Sequence, residues 1–158
     1  MLQVGSKFPD FKLPNQNGET KTLKDYAGKW LVVYVYPKDD TPGCTIQAKS
    51  FTTTKEEYEN EGITVIGVNQ DDVDSHKNFC NKHSFTIDLL SDPEGELLKA
   101  AEVTQSEYKG SMYWDRTTFV LDHEGVLRKV MEKVKPEGHE RVLLSEIKNL
   151  QKAGATAR

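Results

Sequence analysis

Cysteine is scarce in this sequence: Cys44 and Cys80 are the two present in 158 residues. That is too few for a disulfide framework, and in a reducing compartment such a pair is catalytic, redox-active or simply buried. Long apolar runs are missing as well. The longest, Leu31 to Tyr36, falls far short of the roughly 20 residues that cross a bilayer, and Met1 to Lys7 lacks the apolar stretch of a signal peptide. The chain is therefore expected to stay in the cytoplasm, with no membrane partner. Neither sign of charge dominates, since 25 acidic and 21 basic residues leave a net charge of −4 without long blocks of either. Nucleic acid is accordingly not an expected partner. The histidines, His76, His83, His123 and His139, show no metal-ligand spacing. With Asp71, Asp72 and Asp74 they read as solvated surface or helix caps, and neither a metal nor another cofactor is expected.

What is present points to one α/β domain. A chain of this length with 36% hydrophobic residues can bury a single core. The unbroken β-branched and aromatic run Leu31 to Tyr36 predicts a central strand covered on both faces. Good helix formers over residues 43–60 predict a helix that stops at Gly62, and Ile63 to Val68 follows as a second buried strand. Asp71 to Asp74 supply caps for a helix ending near His83. Ile87 to Leu90 reads as a short strand and Glu94 to Ala101 as a helical turn or two. Thr117 to Leu121 and Val126 to Val130 flank a turn sequence and predict a hairpin. Leu143, Ile147 and Leu150 mark a closing amphipathic helix. The expected domain spans residues 1–152, with 153–158 a frayed tail. The element order suggests a mixed sheet with helices on both faces.

The most informative segment is Thr41-Pro42-Gly43-Cys44, directly after the central strand. It fits a helix start with Thr41 as N-cap, Pro42 at the first helical position and Cys44 in the first turn. Unpaired backbone N–H groups and the helix dipole there favour an anion, hence a nucleophilic thiolate. Ionisation alone gains little: a free thiol is already ~3% ionised at neutral pH, so full ionisation is worth ~30-fold, or ~2 kcal/mol. Fast chemistry at such a sulfur needs, in addition, a fixed cation and oriented donors aimed at the bond that breaks.

Pro37-Lys38-Asp39-Asp40-Thr41-Pro42-Gly43-Cys44 resembles the Pro-x-x-x-Thr-x-x-Cys loop of peroxiredoxins. Tyr34 to Lys38, Thr45 to Ala48 and Arg116 to Asp122 are similar to the peroxiredoxin Q group, also called bacterioferritin comigratory protein. This resemblance implies a thioredoxin-like fold with an N-terminal peroxiredoxin extension and Cys44 as peroxidatic cysteine. It also implies that Thr41 donates its hydroxyl to the site, that Arg116 supplies the cation, and that Gln47 helps to frame the loop. Pro37, Gly43 and Tyr36 fall in the substrate-binding region, with Trp114 in support. The implied substrates are hydrogen peroxide and organic hydroperoxides, and the implied reductant is thioredoxin, with glutaredoxin as a second candidate. A monomer is expected.

The chain departs from the commonest pattern of that group, because position 49, five residues after Cys44, is Lys49. Cys80 is then the resolving cysteine, as in a second subgroup with this arrangement, or else a small buried hydrophobe sharing a helix face with Val73. Tyr36, Tyr113 and Trp114 either wall an apolar substrate pocket or belong to the core. Three rival functions stand beside the peroxidase. A disulfide oxidoreductase would need Cys-x-x-Cys, and position 47 is Gln47. A cysteine hydrolase would need a histidine at Cys44. A redox sensor would share the oxidation step and pass its disulfide to a partner protein.

Overall fold

Residues 2–156 are described by the computed structural model. Strands β1 (Lys12–Pro14) and β2 (Thr20–Thr22) form an antiparallel hairpin, and a 3-10 turn, Leu23–Tyr26, leads into β3 (Trp30–Val35). Helices α1 (Pro42–Thr53) and α2 (Lys55–Asn60) precede β4 (Ile63–Asn69). Next come α3 (Val73–His83), β5 (Asp88–Ser91) and α4 (Glu96–Ala100). A second hairpin, β6 (Gln105–Tyr108) with β7 (Ser111–Trp114), precedes β8 (Thr117–Leu121), β9 (Leu127–Met131) and the closing helix α5 (His139–Thr156).

The central sheet has the order β5-β4-β3-β8-β9. The pairs β3–β4 and β4–β5 run parallel, whereas β8 pairs antiparallel with both β3 and β9. The apolar run thus takes the middle position, where both faces are covered. Its side chains alternate, as the strand repeat of two requires. Val32, Tyr34 and Tyr36 pack with Cys44, Phe51, Phe79, Cys80, Leu143 and Ile147. Leu31, Val33 and Val35 pack on the other side with Phe8, Phe11, Leu97 and Trp114. Helices α1, α2, α3 and α5 therefore cover one face, and α4 with the N-terminal segment covers the other. No helix among the described residues is long and apolar enough to cross a membrane.

Three details depart from the sequence reading. The helix expected over 43–60 breaks at Thr54, whose φ and ψ of −96° and 6° leave the helical range and whose hydroxyl donates to Ser50 O at 2.8 Å. A run of three β-branched threonines with side chains bonding back to the preceding turn favours such a break. The β6–β7 hairpin was not expected, since its strands are mostly exposed and carry no apolar alternation. Its tight turn depends on Lys109 and Gly110, with φ of 51° and 82°. The closing helix runs to Thr156, past its expected end, and the last two residues of the expected tail, Ala157 and Arg158, lie outside the described residues.

Candidate active site

The chain leaves β3 at the edge of the helix-covered face, crosses Tyr36 to Thr41, and enters α1. Thr41 has the extended φ and ψ of an N-cap, −101° and 156°, with Pro42 at the first helical position. Thr45 N closes the first turn on Thr41 O at 2.9 Å. The hydroxyl of Thr41, however, does not cap the helix; it turns back and donates to Lys38 O at 2.9 Å. The oxygen is thereby fixed in the loop, with its lone pairs free to accept.

Cys44 lies in the first turn of α1 and is only 1% exposed. Arg116 stands one residue before β8, at the end where Thr117 pairs with Val35 and β3 gives way to the loop. That register carries its side chain back over α1. Nη2 donates to Cys44 Sγ at 3.3 Å and Nη1 to Gln47 Oε1 at 2.9 Å. Gln47, buried one turn after Cys44, holds the planar guanidinium by one edge while the other edge addresses the sulfur. Gly43 makes this approach feasible, because a Cβ there would sit 2.7 Å from Arg116 Nη2.

Beside this pair opens a cleft of about 470 Å³ lined by Pro37, Thr41, Tyr108, Tyr113, Trp114 and Arg116, among others. Trp114 is fixed by donating its indole N–H to Gln70. The cleft reaches Thr41 and Arg116, and the sulfur lies behind them. Tyr36, expected in the substrate-binding region, is elsewhere. The strand alternation turns it into the core, where it is 1% exposed and donates to Asp39 Oδ1 at 2.6 Å.

Cys80 lies in the last turn of α3, 6% exposed, on the same core face as Cys44, and both thiols are unbridged. Burial first, then the charges of Asp39 and Asp88, push its thiol up to about 12. The carbonyl end of the helix acts in the same direction.

Two histidines read from sequence as surface or caps are buried instead. His76 is fully inaccessible beneath the loop, with Nδ1 2.6 Å from Asp39 Oδ2 and Nε2 3.0 Å from Leu90 O. His139 is 6% exposed and hydrogen-bonded to the Thr118 hydroxyl at 2.9 Å, and burial pushes its imidazole down to about 4. Asp72 does cap α3, accepting from Ser75 N at 2.8 Å. Asp39 was not singled out from sequence. Burial alone would raise its carboxyl; the hydrogen bond and charge of His76, joined by Tyr36 and Ser75, outweigh that and hold it below the ordinary range.

The AhpC/TSA family model matches residues 4–130. Peroxiredoxin Bcp of Bacillus subtilis is 38% identical over 94% of this chain and 97% of its own length. The chain belongs to the peroxiredoxins. With that membership comes a cysteine-based thiol peroxidase on a thioredoxin-like fold. Among solved structures, a peroxiredoxin Q variant from Xylella fastidiosa superposes with a TM-score of 0.90 at 31% identity, covering 96% of this chain and 98% of that one. The bacterioferritin comigratory protein of Xanthomonas campestris, studied for its alkyl peroxide reduction activity, is 34% identical with a TM-score of 0.85, covering 93% and 98%. Two cysteine-to-serine variants of the peroxiredoxin Q from that organism alter positions separated by the same length of chain as Cys44 and Cys80.

Proposed function

We propose that the chain reduces hydroperoxides by attack of the Cys44 thiolate on one peroxide oxygen. That oxygen stays on sulfur as sulfenic acid; the other takes a proton and leaves as water or an alcohol. The observation that carries this reading is the guanidinium of Arg116, 3.3 Å from Cys44 Sγ and braced by Gln47. A fixed cation with parallel N–H donors can hold both the sulfur and a peroxide oxygen, and it stabilises the charge that moves onto the leaving oxygen. Thr41, anchored through Lys38, orients the substrate from the cleft side. The aromatic lining of the cleft suits organic hydroperoxides as well as hydrogen peroxide.

Cys80 is the proposed resolving cysteine. Its thiol attacks the sulfenic sulfur of Cys44, the disulfide forms, and the thiol proton departs with the hydroxyl as water. The matching separation of the two substituted cysteines in the Xanthomonas campestris relative supports this pairing. Thioredoxin is the proposed reductant of the bridge, with glutaredoxin second, in the cytoplasm. One copy of the chain carries both thiols, so a monomer completes the cycle.

Stopped-flow oxidation of the reduced protein, followed by intact-mass analysis, tests the assignment. The unaltered chain should lose two hydrogens per equivalent of peroxide, Cys80→Ser should stop at sulfenic acid, and Arg116→Ala should slow the first step. Full peroxide turnover by Cys44→Ser would end the proposal.

A further inference from the structure

Two neighbouring carboxylates in the loop between β3 and α1 reach across to α3, the helix that carries Cys80. Asp39, the inner one, is 7% exposed. Its Oδ2 lies 2.6 Å from His76 Nδ1 and accepts from Ser75 Oγ at 2.7 Å, while Oδ1 accepts from Tyr36 at 2.6 Å and from Asn69 at 3.3 Å. The second ring nitrogen of His76 faces Leu90 O at 3.0 Å. Both ring nitrogens of His76 therefore lie against oxygen atoms, and the Asp39 carboxylate is held by a buried hydrogen bond to the ring. Asp40, the outer one, accepts from Lys82 Nζ at 2.9 Å in solvent. Cys80 sits one helical turn beyond His76, and Thr41 directly follows Asp40.

We propose that the Asp39–His76 pair is a positioning latch, which holds the Cys44 loop and the Cys80 helix in the geometry that reacts with peroxide and whose opening sets the rate of disulfide closure. The inference rests on Cys80 being the resolving thiol. Closure requires Cα atoms within ~7 Å and aligned sulfurs, and here the two thiols belong to separate helices packed into one core face. The loop cannot peel from α3 while Asp39 bonds to Ser75 and His76. Separating them inside the protein would strand a buried charge, so loop and helix must release together into water. The exposed Asp40–Lys82 pair contributes little to this hold.

The test measures the rate at which the sulfenic acid becomes the Cys44–Cys80 disulfide, by rapid quench and mass analysis. Asp39→Asn should speed closure about ten- to 150-fold, the range of a charge-assisted hydrogen bond. Ser75→Ala, which leaves the Asp39–His76 contact intact, should speed it a few-fold and decides the matter should Asp39→Asn fail to fold. Combining Asp39→Asn with His76→Asn should add little to the faster single variant. Lys82→Ala, and Leu127→Ala in the opposite core, should leave closure within about twofold, since neither touches the latch. Closure that ignores the Asp39 and Ser75 substitutions, or that Leu127→Ala accelerates equally, would overturn the latch alone. Absence of a Cys44–Cys80 disulfide in the unaltered protein would overturn the latch and the resolving role together.

Discussion

Gly43→Ala separates the chemistry of the site from the stability of its scaffold. The backbone at Gly43 is helical with no positive φ, so alanine is conformationally acceptable there and is the better helix former, by up to about 1 kcal/mol. The added Cβ would meet Arg116 Nη2 at 2.7 Å. That atom ends a flexible side chain, so it yields, by about 1 Å, until ordinary van der Waals distance is restored. Yet Nη2 is the nitrogen that donates to Cys44 Sγ at 3.3 Å, and Nη1 is tied to Gln47 at 2.9 Å, so the guanidinium cannot shift without loosening both bonds. A hydrogen bond to a charged group is worth about 1.5–3 kcal/mol, which corresponds to about a ten- to 150-fold lower second-order rate with hydrogen peroxide. Stopped-flow oxidation and a thermal melt on the same sample make the measurement. The expected pattern is slower oxidation with a Tm lowered by only a few degrees, because the helix gain offsets part of the loosened bonds. A rate within twofold of the unaltered protein would show that the guanidinium contact is not what activates the site.

Other expectations follow from burial and from the cleft. Cys80, raised from an ordinary 9.0 to about 12, binds its proton more tightly folded than unfolded. It therefore contributes stability below pH 9 that is lost between pH 9 and about 12, and Cys80→Ala should flatten that alkaline fall in a pH series of urea melts. His139 has the opposite sign: lowered from 6.5 to about 4, it makes the unfolded chain the better proton acceptor, so stability falls as pH drops through that window. The effect is at most about 3 kcal/mol, and His139→Gln should make acid unfolding less steep. Tyr108, 62% exposed on the β6–β7 hairpin, lines the cleft mouth. Tyr108→Ala should slow reaction with a bulky organic hydroperoxide several-fold more than with hydrogen peroxide, as read from the ratio of the two rates.

Local signals were legible in the sequence and distant pairings were not. The run Leu31 to Tyr36 declared a buried strand because both faces are apolar, and Thr41-Pro42-Gly43-Cys44 declared a helix start because each residue suits its own position there. Arg116 was placed at the sulfur by family resemblance; nothing near it in the chain indicates that β8 returns beside β3. His76 was misread because a histidine among aspartates looks solvated, and its partner Asp39 stands on another element. One signal was available: His76 precedes Phe79 and Cys80 by three and four residues, so it shares their inward face. The family resemblance puts Tyr36 in the substrate-binding region, whereas the alternation of β3 sends Val32, Tyr34 and Tyr36 together into the core, the other reading the sequence allows.

The two cysteines occupy opposite ends of helices, and the fold uses that difference. Cys44 meets the amide end of α1 with a guanidinium beside it, whereas Cys80 lies in the last turn of α3, whose carbonyls Ser84 N and Phe85 N already cap at Cys80 O. The surroundings of Cys80 oppose a negative sulfur. With its thiol at about 12, folded Cys80 is ionised in only about one molecule in 10⁵ at pH 7, against about one in 10² at the ordinary value. In the proposed cycle, unwinding the end of α3 raises the thiolate fraction of Cys80 about a thousandfold. On the proposed resolving role, the burial that keeps Cys80 from competing for peroxide also makes disulfide formation depend on local unfolding. A Cys44→Ser protein tests this directly: alkylation of Cys80 at pH 7 should be very slow in buffer and rise about a thousandfold or more in urea. Equal rates in the two solvents would mean that Cys80 is already open in the folded chain, and unwinding would lose its place in the cycle.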